Sequence, residues 1–277
     1  MPATAIDDCS IYYEIVGDNG PPVVITPGGR NPLDTARRLA DELSREYRVL
    51  LWDRANIGRS DVQFRGARDL DLWSDQLATL LRRLEFGPAF LCAPSAGSRV
   101  SYVTALRYPE IVRGMYLWLV SGGPVAERLG EGYYGQHASS ALSGGMAAVA
   151  ADPFWAERIA ANPANRGRLL AQDPAEFATT MRRWQAAMRS TDPFIGVSED
   201  DLRRISVPTA ILAAGEDTGH PRELSQRAAK LIPGVEYLED EEFQAEWPAL
   251  QRQALANYEQ PRSLPRLIRT WLALKSR

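Results

Sequence analysis

The chain has 277 residues, of which 45% are hydrophobic and 24% charged, with a formal net charge of −3. That balance is the one of an ordinary globular protein, long enough for one large domain or a domain with an insertion, and it excludes a charge-driven nucleic-acid or polyanion binder. Two cysteines, Cys9 and Cys92, make no disulfide framework, and no apolar run approaches the ~18 residues that read as a membrane span.

The N-terminus has no basic stretch followed by an apolar one, so a reducing cytoplasm is the expected location. No membrane or nucleic-acid partner is expected, and the oligomeric state is not legible. Only two histidines occur, His137 and His220, so any mechanism that needs an imidazole must choose between them.

In chain order, short alternating apolar stretches over 4–16 predict a hairpin, with a turn at Gly17 to Pro22. Val23 to Ile25 is a short buried strand that runs into Thr26-Pro27-Gly28-Gly29-Arg30, and Leu33 to Leu43 has helical spacing. A strand over Tyr47 to Trp52 ends at Asp53-Arg54. An amphipathic helix over Leu70 to Leu84 follows, and then a strand at Ala89 to Cys92. Ser95 stands on the turn between that strand and a helix from Ala96 to about Arg107. Val112 to Val120 is the next strand.

After Ser121-Gly122-Gly123-Pro124 the pattern changes. Residues 125–204 show only helical stretches: Gly135 to Ala151, Pro153 to Ala161, Arg166 to Ala171 and Pro174 to Ser190. Their aromatics, among them Tyr133, Tyr134, Phe154, Trp155, Phe177, Trp184 and Phe194, are expected mainly to pack a small core of the insertion. Tyr133, Tyr134, Trp155 and Trp184 are also candidates to line a pocket. Met146, Met181 and Met188 read as packing residues. The sheet resumes at Val207 to Leu212 and runs into Gly215-Glu216-Asp217. Pro221 opens a helix to Leu231, Val235 to Leu238 is a last strand, and a helical region broken at Pro261 to Pro265 closes the chain.

Strand and helix alternating at this spacing predict an α/β fold, a mostly parallel sheet covered by helices on both faces. Ligands bind such sheets outside the carboxyl ends of the strands, where Gly28, Gly29, Asp53, Arg54 and Ser95 collect. A strand that turns at once into a helix lifts its serine hydroxyl clear of the sheet, and the close backbones need small neighbours, here Ala93 and Gly97.

Four stretches together resemble the α/β-hydrolase fold enzymes: Pro27-Gly28-Gly29, Asp53-Arg54-Ala55-Asn56-Ile57-Gly58-Arg59-Ser60-Asp61, the elbow Ala93 to Gly97, and Gly215-Glu216-Asp217 followed by Pro221. The resemblance covers residues 4–273. It implies a core domain of residues 1–124 and 205–277, with a helical cap, or lid, over 125–204 inserted after the sixth strand. It implies Ser95 as nucleophile, the N–H groups of Gly29 and Ala96 as oxyanion hole, and Asp217 as triad acid. The chain departs from the family where the catalytic histidine usually stands. The loop after the last strand reads Glu239-Asp240-Glu241-Glu242-Phe243-Gln244-Ala245-Glu246-Trp247.

A serine needs a base to take its proton. His220, beside Pro221 at the sheet edge, is the first candidate, set against a plain role in capping the turn. His137, in the insertion, is the second, set against packing. Glu241 or Glu242 is the third, if burial or Asp217 raises its pKa, set against a solvated acidic loop. Arg30, Arg54, Arg59 and Arg99 concentrate near the same edge. Arg54 could pair bidentately with Asp53, and one of the four, with Arg30 and Arg54 the first to test, could bind a substrate carboxylate or phenolate.

Three functions are therefore open. The leading one is a hydrolase of an ester, lactone or related acyl bond in a medium-sized, largely apolar small molecule. The others are a non-hydrolytic enzyme on the same scaffold (lyase, isomerase, cyclase or decarboxylating enzyme) and an inactive small-molecule-binding protein. No metal is expected, because two distant histidines make no site, and no nucleotide cofactor, because Gly28-Gly29 lacks the dinucleotide spacing.

Overall fold

The computed structural model describes residues 3–123, 125–189, 194–213, 219–247 and 260–276. Eight strands form one sheet: β1 (Ala3–Ile6), β2 (Cys9–Val16), β3 (Pro22–Ile25), β4 (Arg48–Trp52), β5 (Ala89–Pro94), β6 (Val112–Trp118), β7 (Thr209–Leu212) and β8 (Glu236–Leu238). Their spatial order is β1-β2-β4-β3-β5-β6-β7-β8. The pairs β1/β2 and β2/β4 are antiparallel, and every later pair is parallel.

The parallel strands read as unbroken apolar runs because both faces are covered. Side chains alternate across the pleat. Val23, Ile25, Val49, Leu51, Phe90, Cys92, Tyr116 and Trp118 face one cluster, completed by Leu39, Ala40 and Leu43 of α1 (Arg37–Leu43) and by Leu264, Ile268, Trp271 and Leu272 of the C-terminal helix Leu264–Lys275. Val24, Leu50, Leu91, Ala93, Met115 and Leu117 face the other. There they meet α2 (Asp69–Arg83) and α3 (Ala96–Arg107) through residues such as Leu77, Leu81, Val100 and Val103. Cys92 is a fully buried member of the first cluster, and burial pushes its thiol pKa up.

Between β6 and β7 the chain is helical: α4 (Val125–Gly130), α5 (Gln136–Ala151), α6 (Pro153–Ala161), α7 (Ala164–Leu170), α8 (Pro174–Met188) and α9 (Glu199–Arg203). A π-helical turn, Glu131–Gly135, joins α4 to α5, and Gly145 breaks the regularity of α5 with φ 67°. Asp152 and Asp173 cap α6 and α8 by accepting their first free N–H groups, each followed by Pro at the first helical position. The expected separate core of this insertion is corrected by the packing. Tyr134, Trp155, Phe177, Met181 and Trp184 belong to the same cluster as the α2/α3 side of the sheet, and Phe64 packs against it with its ring edge-on to Trp155 and Phe177. Met146 and Met188 are buried there as well.

Two glycines test how tightly this architecture is built. A Cβ on Gly97 would lie 2.2 Å from the carbonyl oxygen of Thr26 and 3.0 Å from Cβ of Ala93, so α3 and the end of β3 must separate to admit it. Gly167, inside α7, has nothing within 4 Å of the same position. Gly97→Ala should therefore destabilise the protein by at least about 2 kcal/mol, whereas Gly167→Ala should stabilise it by about 0.5–1 kcal/mol. Urea unfolding of the two variants measures both.

Candidate active site

Ser95 is held at φ 52° and ψ −116°, a conformation that L-residues rarely adopt and that persists only where the surroundings enforce it. Three contacts enforce it. The Ser95 N–H donates to the carbonyls of Trp118 and Leu119 at the end of β6, each at 3.1 Å. Ser98 Oγ donates to Ala93 O at 2.8 Å, which closes the turn from beneath. Gly97 lets Thr26 O approach, as above. The result is a partly exposed hydroxyl between a strand end and a helix N-terminus.

His220 Nε2 lies 2.9 Å from Ser95 Oγ. The histidine is carried by the segment between β7 and α10 (Arg222–Leu231), and Pro221, with φ −60°, stands at the N-cap directly after it. Of the three bases considered from sequence, this is the one the fold brings to the serine. No hydrogen bond joins His137, Glu241 or Glu242 to Ser95 among the described residues. His137 is fully buried, with its ring 5.1 Å from that of Phe154 and 5.5 Å from that of Trp155. Glu241 and Glu242 are exposed on the first helical turn after β8, where Glu242 pairs with Arg266 at 3.0 Å. That acidic stretch faces solvent and surface arginines, because its alternation buries Phe243 and Trp247 instead. Asp217 lies outside the described residues.

The glycine loop packs directly on the elbow. A Cβ on Gly28 would touch Ser95 Cβ at 3.4 Å, and Gly29 has φ +49°. Gly28 O accepts from Asn31 N at 3.2 Å, and Gly29 O from Arg54 Nη2 at 3.1 Å. Gly28 O also lies 3.5 Å from Arg54 Nη2, and since the Gly29 N–H points opposite to Gly28 O across their shared trans peptide, that N–H is turned away from Arg54. Ala96 is the first residue of α3, and its N–H has no intrahelical acceptor. Neither N–H makes a hydrogen bond among the described residues.

The stretch after β4 does something other than expected. Arg54 does not pair with Asp53. Asp53 instead accepts the N–H groups of Leu33 at 2.7 Å and Arg59 at 2.8 Å, in a pocket that only a glycine at position 58 leaves open. Burial pushes its carboxyl up to about 6, against the pull of those two N–H groups. Ser60 completes the knot, donating to Asp53 O and accepting from Tyr12 N. Arg59 turns outward to Asp34 at 2.8 Å.

Arg54 is free to point inward, where Arg30 and Arg99 join it. All three are nearly or fully buried. The guanidinium carbons of Arg30 and Arg54 lie 4.7 and 4.9 Å from the ring centre of Trp73. Arg30 also stands against Tyr133 and Tyr134 and pairs with Asp69 at 3.2 Å. Tyr134 donates to the same Asp69 oxygen. Arg30, Tyr133, Tyr134, Trp155 and Trp184 line one cleft with Asn56, Phe154 and Met181. Asp69 and Trp73, which anchor this cluster, carry no motif. Their only sequence signals are an acidic residue in the first turn of α2 and an aromatic four residues on.

The insertion is fastened to the post-β4 loop by polar contacts. Arg158 donates to the carbonyls of Asn56, Phe154 and Arg30, and Asn165 bonds Val62 N and Ser60 O. Among the described residues, no group of three or more His, Cys, Asp or Glu could hold a metal ion, and no helix is long and apolar enough to cross a membrane.

The strained strand–helix turn with its hydroxyl, and the imidazole at hydrogen-bond distance, stand on a sheet whose strand order is that of the α/β-hydrolase fold, and the chain has that fold. It is similar, at 26% identity over 248 residues, to a protein of Azorhizobium caulinodans named as a carbamate hydrolase, RutD, covering 86% of this chain and 89% of the relative. Among solved structures it resembles the enol-lactonase from Burkholderia xenovorans LB400, with a TM-score of 0.65, 18% identity and coverage of 98% of this chain and 100% of that one. It also resembles a thermophilic esterase from Thermogutta terrifontis, with a TM-score of 0.64, 20% identity and coverage of 99% and 97%. No protein-family model matches the chain.

His137 has a measurable consequence of its own. Burial, with Arg30 and Arg158 nearby, pushes its pKa down to about 4, and neither ring nitrogen has a hydrogen-bond partner. The folded state thus binds fewer protons than the unfolded state between about pH 4 and 6.5. Stability is full above that window and is lost as pH falls through it, by up to about 1.4 kcal/mol per unit. The raised Asp53 carboxyl acts in the opposite direction over the same range, so the His137 contribution is read as a difference: between pH 7 and pH 5 the urea stability of His137→Leu should rise relative to that of the wild type.

Proposed function

We propose that the protein is a serine hydrolase that cleaves an ester, lactone or related acyl bond, with Ser95 as nucleophile and His220 as its base. The observation that carries this reading is the 2.9 Å contact between Ser95 Oγ and His220 Nε2 at the strained elbow. Ser95 Oγ bonds to the acyl carbon while its proton passes to His220 Nε2. The oxyanion forms against the N–H groups of Gly29 and Ala96. The leaving oxygen departs with the proton held by His220. A water then gives its proton to His220 and attacks the acyl-enzyme, and the proton returns to Ser95 Oγ as the acid is released.

Asp217, three residues before His220 in the chain, is assigned the role of orienting carboxylate on its sequence position. Residues 125–204 are assigned as a cap on a core of residues 1–124 and 205–277. Tyr133 is the half-buried ring of the aromatic group and suits contact with a ring-bearing or apolar substrate, while Tyr134, Trp155 and Trp184 are buried behind it. The names of the relatives agree in reaction class, since lactones, esters and carbamates all present an acyl carbon to a nucleophile.

Intact-mass measurement after a fluorophosphonate probe tests the assignment. Wild type should take up one adduct, Ser95→Ala none, and His220→Ala should react at least ~100-fold more slowly, the usual worth of a positioned base. A folded wild type that takes up no adduct would contradict the reading.

A further inference from the structure

Two kinds of buried arginine meet beside the elbow. Arg158 is of the first kind: its donors reach the carbonyls of Asn56 at 2.8 Å, Phe154 at 2.6 Å and Arg30 at 3.1 Å. Such a guanidinium is a structural tie. Arg99 is of the second kind. It is 5% exposed, its Nε and Nη1 have no partner, and it makes no hydrogen bond or ion pair among the described residues. Arg54 is fully buried and spends only Nη2, on the glycine loop, while its Nε and Nη1 also lack partners.

The one carboxylate in this cluster cannot satisfy them. Asp69 Oδ2 is taken by Arg30 and Tyr134, and Oδ1 by the N–H of Leu70 at 2.8 Å. Asp53, the next nearest acid, has both oxygens committed to backbone N–H groups. Burial, with Arg30 and Arg99 nearby, pushes the Arg54 pKa down to about 9, and burial lowers that of Arg99 below its ordinary value. Buried guanidinium groups without acceptors are expensive. An anion arriving from outside would supply the missing acceptors, and Arg offers them a planar fork that fits a carboxylate.

The position relates the cluster to the reacting atoms. Arg30 directly follows Gly29. Arg99 is four residues beyond Ser95 on α3, about 6 Å along the helix axis. Arg30 also lines the aromatic cleft, so it is the arginine that an entering ligand meets. We propose that the substrate is itself an acid: an ester or lactone carrying a carboxylate a few carbons from the scissile carbonyl, seated on Arg30, Arg54 and Arg99. This rests on the reading of Ser95 as nucleophile. It sharpens the picture of an apolar substrate by giving the molecule a charged end for the arginines to select.

The experiment compares the mono-4-nitrophenyl ester of glutaric acid with its neutral methyl 4-nitrophenyl diester, in wild type, Arg99→Met, Arg99→Lys and Ser95→Ala. The melting temperature with and without glutarate is measured in parallel. Wild type should favour the acid at least tenfold in kcat/KM. Arg99→Met should lose that preference through KM, and Arg99→Lys should keep part of it. Arg99→Met should also melt higher than wild type, since it removes an unpaired buried charge, and glutarate should stabilise wild type but not Arg99→Met. Equal turnover of the two esters, abolished in Ser95→Ala, would overturn the carboxylate site and leave the serine mechanism standing. If neither ester is turned over, the glutarate shift decides. A shift that depends on Arg99 upholds the anion site against the hydrolase reading, and no shift overturns it.

Discussion

Thr26 O occupies the space where a side chain on residue 97 would have to be, at 2.2 Å from its Cβ position, and the site follows from that crossing. Thr26 is clamped on both sides: its N–H donates to Cys92 O at 3.2 Å, and its hydroxyl accepts from Trp52 Nε1 at 2.9 Å. The end of β3 is therefore fixed between β4 and β5 before the chain turns. With α3 pressed onto that end, Ser95 is forced into its unusual backbone angles, and the glycine loop that follows Thr26 has no place to go except against the elbow. One close approach thus sets the hydroxyl and its neighbouring N–H groups together, and no separate device is needed to align them.

Around this point the fold uses charge in two ways. Asp53, Ser60, Asn165 and Arg158 are spent on main-chain groups and tie the post-β4 loop to the insertion. Arg54 and Arg99 are left with donors unspent in a region of low dielectric, where an unmet charge acts over a longer range than at the surface. The aromatic rings of Trp73, Tyr133 and Tyr134 stand against Arg30, which is itself paired with Asp69. A structural role accounts for the first set and fails for the second, and this difference, more than the shape of the cleft, bears on the ligand.

Much of the fold was legible in the sequence because its signals are local. The apolar runs of β3, β5 and β6, the spacing of α2 and α3, and Pro ahead of α6 and α8 each point to one element. The elbow was legible because it is short and because small residues at 93 and 97 have a steric reason. The choice of His220 came from counting: two histidines, one of them at the correct end of the sheet. What sequence could not supply was direction. Nothing in Asp53-Arg54 says that the acid will turn to two backbone N–H groups and the base inward, because that depends on Gly58 leaving room and on Leu33 arriving from another loop. Likewise Arg99 is one turn past Ser95 in any helix, but its burial depends on what packs near it from other parts of the chain, Asp69 and Tyr133 among them. The aromatics of the insertion looked like a separate small core, and their continuity with the main one belongs to the folded chain, where Phe64, a loop residue that no periodicity marks, also packs against Trp155 and Phe177.

The central claim is that acyl transfer passes through Ser95. Quenched-flow mass spectrometry of the wild-type protein during turnover of an activated aryl ester tests it most directly. The account predicts a transient mass increase equal to the acyl group, mapping to the peptide that contains Ser95 and decaying as acid is released. Hydrolysis at full rate with no acylated protein at any time, and with the same rate in Ser95→Ala, would contradict it.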